Sequence, residues 1–159
     1  MRRDKLGIYL NDHLAGATAG GGLARRVADQ HRRSARHGDL ERVAEQIEQD
    51  RRALLDIMDA LGVPVRRYKV CAGWAAERLG RFKPNGQVRR RSGLSSVVEL
   101  EGLRLGVEGK VLLWRTLLAV AEHEERLSAA GLTDLLARAR DQADLLETLR
   151  VNAAKAVFS

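Results

Sequence analysis

The chain has little proline and almost no cysteine, and both shortages restrict its architecture. Pro64 and Pro84 are the only prolines among 159 residues, which leaves long stretches on either side without the residue that interrupts helices. Cys71 is the only cysteine, so an intrachain disulfide framework is excluded and a reducing compartment is expected. The remaining composition is typical of a folded globular protein, and the length predicts one domain with its own hydrophobic core.

Segments that would target the chain to a membrane are also missing. Asp12 and His13 interrupt the apolar stretch near the N-terminus, and no small-residue cleavage site stands out there. The sequence therefore predicts neither a signal peptide nor a transmembrane segment, and we expect a cytoplasmic protein. Dinucleotide-binding glycine turns, Walker-type loops, Cys-x-x-Cys pairs and a nucleophile with an evident base are absent as well, so no enzyme class is indicated.

Apolar residues recur at spacings of three and four along four parts of the chain, which is the period of an α-helix. The predicted helices span about 4–33, 39–62, 96–122 and 132–157. Asp39 is the predicted N-cap of the second helix, and the Gly-Val-Pro sequence at 62–64 predicts its end. Ser95 or Ser96 is the predicted N-cap of the third helix. No stretch has the pattern of a strand, so the sequence predicts an all-α protein.

The lengths of the connections predict how these helices are arranged. Short connections join helix one to two and helix three to four, so each pair is expected to form an antiparallel hairpin. About thirty residues, 63–95, lie between helices two and three and are long enough to run the length of a bundle. This predicts a four-helix bundle with a single crossover. Within the crossover, "KVCAGWAAERLGRFKPNG" (69–86) is amphipathic and predicts a short fifth helix.

This pattern resembles the ferritin-like superfamily. The stretches "YLNDHLAGATAG" (9–20) and "VVELEGLRLGVEGK" (97–110) are similar to an uncharacterised group of small actinobacterial ferritin-like proteins. The resemblance implies a ferritin-like bundle, and in the enzymes of the superfamily it implies a di-iron or di-manganese site. That site takes one Glu from each of two helices and Glu-x-x-His from each of the other two. None of the four histidines of this chain lies three residues after a Glu.

Four polar residues on the predicted helices are candidate metal ligands. They lie on or beside apolar stripes: His13, Asp50, Glu101 and Glu108. Buried carboxylates cost several kcal/mol unless a cation or hydrogen bonds compensate them. Iron or manganese would supply that cation. Arg104, three residues after Glu101 and four before Glu108, would supply it equally, and we favour this second interpretation, an ion-paired network without a metal.

Glycines are dense on two of the predicted helices. Gly102, Gly106 and Gly109 lie on the third helix, and "AGATAGGG" (15–22) lies on the first. A glycine inside a helix costs up to about 1 kcal/mol relative to alanine, so such density indicates close packing against another surface. That surface is either the other of these two helices or a homodimer partner, and we expect a homo-oligomer. Space left for a ligand is the further alternative.

The net charge of +7 is concentrated in the crossover. Residues 63–93 contain nine cations and one acid, so this segment is +8 and the rest of the chain is −1. Tyr68, Trp74 and Phe82 lie between the cations, a combination that predicts binding to nucleic acid or to an anionic membrane surface. Alternatively, the aromatic rings cap the bundle and the cations form a solvated face. The candidate polyanion-binding residues are Arg66, Arg67, Lys69, Arg78, Arg81, Lys83, Arg89, Arg90 and Arg91.

Together these features predict a non-catalytic binding or structural protein with an anion-binding crossover. The alternative is a metal-binding ferritin-like protein or oxidase that holds iron or manganese inside its bundle.

Overall fold

The computed structural model describes residues 3–66 and 93–159, which form four α-helices and no strand. The helices are α1 (Arg3–Gln30), α2 (His37–Ala60), α3 (Gly93–Ala121) and α4 (Ala129–Phe158). The predicted all-α class is confirmed for these residues. The predicted fifth helix lies outside the described residues, as do Cys71 and all of the candidate polyanion-binding residues except Arg66.

The helix α1 runs antiparallel to α3. Near the beginning of α1, the Tyr9 hydroxyl donates a hydrogen bond to Thr116 Oγ1 at 3.1 Å, close to the end of α3. Just beyond the end of α1, Nε2 of His31 lies 3.5 Å from the hydroxyl of Ser96 in the first turn of α3. Helix α1 also packs along α2, and α3 packs along α4.

Helices α2 and α3 run parallel. Arg126, which follows α3, donates to the backbone oxygen of Leu61 at the end of α2 at 3.2 Å. Gly93, at the beginning of α3, lies instead against Val157, near the end of α4. The end of α2 and the beginning of α3 therefore lie at opposite ends of the bundle, as a single-crossover arrangement requires.

The end of α2 confirms the stop predicted at residues 62–64. Gly62 has a φ of +67°, the left-handed conformation that glycine adopts without a steric penalty. Its amide donates to the backbone oxygen of Asp59 at 2.9 Å, and the amide of Val63 donates to that of Met58 at 2.8 Å. These two bonds form the Schellman motif, which satisfies carbonyls left open at a helix end.

The helix starts differ from the predicted caps. Helix α2 begins at His37, and its first bond joins the amide of Leu40 to the oxygen of Arg36, so Asp39 lies in the first turn and is not the N-cap. There its carboxylate pairs with Arg42 at 2.7 Å. Helix α3 begins at Gly93, which places both predicted serine caps inside its first turn. Helix α4 begins at Ala129 after Ser128, whose hydroxyl caps it.

The buried apolar residues form two clusters, one in each half of the bundle. The first contains Val27 of α1 and Leu146 of α4, and the second contains Leu10 of α1 and Trp114 of α3. Each of α2, α3 and α4 contributes to both clusters, and on each helix a polar residue lies between the two contributions. None of the described helices is long and apolar enough to cross a membrane.

Candidate functional site

Asp50 is the centre of a buried polar network between the two apolar clusters. It lies on α2 and is 2% exposed. Its Oδ1 accepts hydrogen bonds from Nε of Arg138, at 2.8 Å, and from the Nη2 of the same side chain. Its Oδ2 accepts from Nζ of Lys110 at 2.5 Å and from Nε2 of Gln142 at 3.1 Å. Each carboxylate oxygen thus has two donors, which fills the acceptor capacity of the group.

Gln142 bonds to both Asp50 and Lys110 and extends the network to Gln46. It is 1% exposed on α4, and its Oε1 accepts from the ammonium group of Lys110. Its Nε2 donates to Oε1 of Gln46 on α2 at 3.2 Å, in addition to its bond to Asp50. Because these bonds join three helices, any sliding or rotation of α2, α3 or α4 would break them. Buried polar groups of this kind can specify the register of a bundle.

The network holds two cationic side chains against one carboxylate. Burial lowers the pKa of Lys110 below its ordinary value; the charge of Asp50 opposes that shift, and the charge of Arg138 adds to it. Lys110 is nearly enclosed, whereas the side chain of Arg138 is 33% exposed and reaches solvent. Asp50 is therefore already neutralised by the chain itself, and a metal ion there would have to displace two cations.

His13, the second predicted metal ligand, is partly buried on α1 and is not among the side chains that bond to Asp50. Its ring packs edge-on against Tyr9, with ring centroids 4.5 Å apart. Burial lowers the pKa of His13, and the neighbouring charge of Asp12 partly offsets the shift. Its contacts are those of a packed aromatic ring.

Glu101 and Glu108, the remaining predicted ligands, are partly exposed and have different partners. Nη1 of Arg104 lies 2.5 Å from Oε1 of Glu108. Glu101 is instead approached by Nη1 of Arg150 on α4, at 3.5 Å. The expectation that Arg104 serves both acids is therefore wrong for Glu101. The reason is that α4 packs beside this face of α3 and supplies a second arginine.

The structure does not bring the four predicted ligands together. Within residues 3–66 and 93–159, no group of three or more His, Cys, Asp and Glu side chains is placed to hold a metal ion. Sequence spacing places Glu101 and Glu108 on one side of α3, but Asp50 meets α3 at Lys110, on a different side of the helix. The spacing of residues along α3 does not show which side of the helix faces Asp50, so this separation could not be predicted from the sequence.

Most of the helical glycines do not pack against another helix. Among the residues that the structure describes, a Cβ atom added at Gly16, Gly20, Gly22, Gly106 or Gly109 would meet nothing within 4 Å. Of the alternatives for the glycines, close contact between helices one and three is therefore not found at these positions, and the homodimer partner and the ligand space stay open. Helices α1 and α3 do contact each other, but residues such as Tyr9 and Thr116 make that contact, so the glycines leave an open surface.

Asn11 is a structural residue that the sequence analysis missed. It is 4% exposed on α1, and its Nδ2 donates to the backbone oxygen of Pro64 at 3.1 Å. Its Oδ1 accepts from the amide of Arg66 at 2.7 Å. A Cβ atom added at Gly7, one turn before Asn11 on α1, would lie 3.6 Å from Val63. The absence of a side chain at Gly7 therefore leaves room for residues 63–66 against α1. Asn11 therefore fastens the start of the basic segment to the bundle.

A polar groove of about 420 Å³ lies between α1 and α2. Its central acid, Glu48, forms ion pairs with Arg25, Arg51 and Arg52. The hydrogen bond from Arg51 lowers the pKa of Glu48. The groove is therefore lined by charges that already compensate one another.

Charge is distributed unequally between the described helices and the rest of the chain. Residues 67–92 contain eight Lys or Arg and one acid, and Arg2 adds one further cation, so residues 3–66 and 93–159 sum to −1. Many cations of the helices are paired, for example Arg32 with Asp29 at 2.8 Å. Comparison of the chain with known protein families, curated proteins and solved structures gave no match. The described residues thus define a four-helix protein with an ion-paired centre.

Proposed function

We propose that this protein is a non-catalytic helical-bundle binding protein that engages an anionic partner through residues 66–91. The observation that carries the proposal is the segregation of charge. Residues 3–66 and 93–159 sum to −1, whereas residues 67–92 contain eight cations and only one acid, Glu77. Cations without nearby acids are the ones that bind phosphate groups, because no internal ion pair has to be broken.

The composition of the segment favours phosphates as the ligand. Seven of its nine cations are arginines, whose planar guanidinium groups can bind phosphate oxygens in pairs. Tyr68, Trp74 and Phe82 lie between them and could stack on bases or insert among lipid headgroups. The partner is accordingly a nucleic acid or an anionic membrane surface, met in the cytoplasm.

The bundle supports this function by holding the start of the segment. Asn11 binds the backbone on both sides of Val65, through the oxygen of Pro64 and the amide of Arg66. The Schellman motif at Gly62 fixes the direction in which the chain leaves α2. These contacts support a role for the bundle as a rigid platform from which the basic segment departs.

We also propose that the bundle has the ferritin-like arrangement and that the protein self-associates. The parallel course of α2 and α3 supports the first proposal, since a ferritin-like bundle joins such a pair by one long crossover. The open glycine surface on α1 and α3 supports the second. No group of metal ligands among the described residues supports the alternative of an iron or manganese protein.

The test of anion binding compares two triple variants with equal changes in charge. The first neutralises Arg89, Arg90 and Arg91 to Gln. The second neutralises Arg32, Arg42 and Arg52, which are paired on the bundle surface. Binding to fluorescent single-stranded DNA, duplex DNA, RNA and phosphatidylserine vesicles is measured by anisotropy and co-sedimentation across a range of salt concentrations.

The first variant should lose most of the affinity, and the second should retain it. Each lost phosphate contact lowers the slope of log K against log salt by about 0.9 for duplex DNA, so three contacts lower it by roughly 2–3. Binding to nucleic acid without binding to vesicles, or the reverse, identifies the class of partner. Absence of salt-dependent binding to all four probes, or equal losses in the two variants, would overturn the proposal.

A further inference from the structure

Helix α3 carries a second apolar stripe that faces away from the core. Leu105 is 71% exposed and Leu112 is 57% exposed, and the half-buried Val98 precedes Leu105 by seven residues. Seven residues make about two helical turns, so the three side chains lie in one line. This line is distinct from the buried face of the helix, which packs into both apolar clusters.

Small residues repeat beside this line with the same period. Gly102, Gly109 and Thr116 follow Val98, Leu105 and Leu112 by four residues each. Since Thr116 accepts a hydrogen bond from Tyr9 of α1, the alternation of a large apolar side chain with a small residue on the outer face of α3 covers two successive pairs, Val98 with Gly102 and Leu105 with Gly109. At Gly109 an added Cβ would meet nothing within 4 Å, so no described part of the chain fills the hollow there.

We propose that α3 pairs with α3 of a second copy of this chain, antiparallel and about a two-fold axis at the level of Val107. In this pairing Leu105 of each copy meets Gly109 of the other, and Leu112 meets Gly102. The inference rests on the self-association proposed above and names the face that makes it. A two-fold contact requires one surface patch to be complementary to itself. Here large apolar side chains and glycines alternate along one stripe, so each large side chain can pack over a glycine of the other copy.

The charges beside the stripe are complementary in the same pairing. Glu101, Glu108 and Arg115 flank it on the same side at spacings of seven residues, and Glu108, which lies nearest the axis, is already neutralised by Arg104 of its own helix at 2.5 Å. The two-fold axis brings Arg115 of one copy to within about two residues, or ~3 Å along the helix, of the level of Glu101 of the other. Arg115 is exposed and has no ion-pair partner among the described residues, and Glu101 meets Arg150 only at 3.5 Å.

The length of the stripe sets the expected affinity. From Val98 to Leu112 it extends about 21 Å at 1.5 Å per residue, and a single helix face is about 10 Å wide. Such a contact is small beside the roughly 800 Å² per partner of a standard interface. We therefore expect a dimer in concentration-dependent equilibrium with monomer, with a dissociation constant in the micromolar range.

The first experiment is sedimentation velocity of the full chain over a wide concentration range. Leu105→Gln combined with Leu112→Gln should raise the dissociation constant at least about tenfold, since it removes the apolar anchors of the contact. The matched control is Phe158→Gln, because Phe158 on α4 is also 71% exposed. That variant should dimerise like the unmodified chain, and circular dichroism verifies that both variants fold.

The second experiment separates association from folding. Gly109→Leu fills the hollow that Leu105 of the second copy would occupy, and its Cβ meets no atom of the described residues within 4 Å. Its melting temperature should be equal or higher, because leucine is a better helix former than glycine, while dimerisation is lost. Glu101→Lys and Arg115→Glu should each weaken the dimer, and the two combined should restore it.

These results separate the pairing from the wider proposals. A chain that stays monomeric at every concentration would overturn both self-association and this pairing. A dimer that Leu105→Gln with Leu112→Gln and Gly109→Leu leave intact would overturn the α3 pairing alone. Loss of the dimer in those variants, together with the charge-swap rescue, would establish it. Anion binding by the variant of Arg89, Arg90 and Arg91 is measured separately, and its result does not depend on the α3 pairing.

Discussion

Nζ of Lys110 lies 2.5 Å from Oδ2 of Asp50, although the two residues are sixty positions apart on different helices. The pair lies at the boundary between the two apolar clusters, where Gln142 and Arg138 complete it from α4. Asp50, an acid in the apolar stripe of α2, is thus neutralised by cations from two other helices. The centre of the bundle is built from charged and polar side chains of the chain itself.

Replacement of Asp50 by Asn should strongly destabilise the fold. The change keeps the shape of the side chain but leaves Lys110 and Arg138 without their counter-charge. Breaking a buried ion pair by removing one partner costs about 3–5 kcal/mol. Urea unfolding measures this loss, and Asp39→Asn, which affects a half-exposed pair, should cost below about 1 kcal/mol. Equal and small losses in the two variants would contradict a stabilising network at Asp50.

The stability contribution of Lys110 should rise with pH in the alkaline range. Burial lowers the pKa of Lys110, so between that lowered value and about 10.4 the unfolded chain holds a proton that the folded chain has released. The free energy of unfolding then increases with pH across this window, and below it the contribution is constant. The measurement is urea unfolding of the unmodified chain and of Lys110→Met between neutral pH and pH ~10.5. The difference between them should grow in favour of the unmodified chain, and a flat or falling difference would show that the pKa is not lowered.

Asn11→Ala should release the start of the basic segment. The amide of Arg66 loses its acceptor, and the carbonyl of Pro64 loses its donor. Because both backbone groups lie in exposed residues and can bond to water, the expected loss of stability is only about 1–2 kcal/mol. Hydrogen exchange of the Arg66 amide should accelerate. Thr18→Ala, which removes a hydroxyl bonded only within its own helix, should leave that amide unchanged.

Arg104→Met should have a small effect. Arg104 pairs with Glu108 one turn away on its own helix, and the carboxylate is nearly half exposed. Such pairs contribute about 0.3–0.5 kcal/mol. Thermal or urea unfolding should therefore show a loss below about 1 kcal/mol. A loss comparable to that of Asp50→Asn would mean that Arg104 neutralises both glutamates, as the sequence analysis expected.

Reconstitution with iron, manganese or zinc should leave the protein essentially metal-free. Every acceptor position of Asp50 is occupied by a donor from the chain, and Glu101 and Glu108 have arginine partners. Elemental analysis after gel filtration should find less than about a tenth of an equivalent of each metal, since a competent site would fill. Near-stoichiometric metal that disappears in Asp50→Asn would restore the metal interpretation.

Local features of this protein could be predicted from its sequence. Helical periodicity, the stop at Gly62 and the concentration of charge in residues 63–93 depend on neighbours within a few turns, and spacing records them directly. Even the ion pair between Arg104 and Glu108 follows from a separation of four residues. The bounds of the four helices differ from those predicted by at most three residues.

Which helix faces meet could be established only from the packing of the four helices. The partners of Asp50, the approach of Arg150 to Glu101 and the bonds of Asn11 to Pro64 and Arg66 join residues far apart in the chain. They depend on how far each helix is rotated about its axis and shifted along its neighbour. Residue spacing within one helix contains no information on either quantity, because both are set by packing across all four helices.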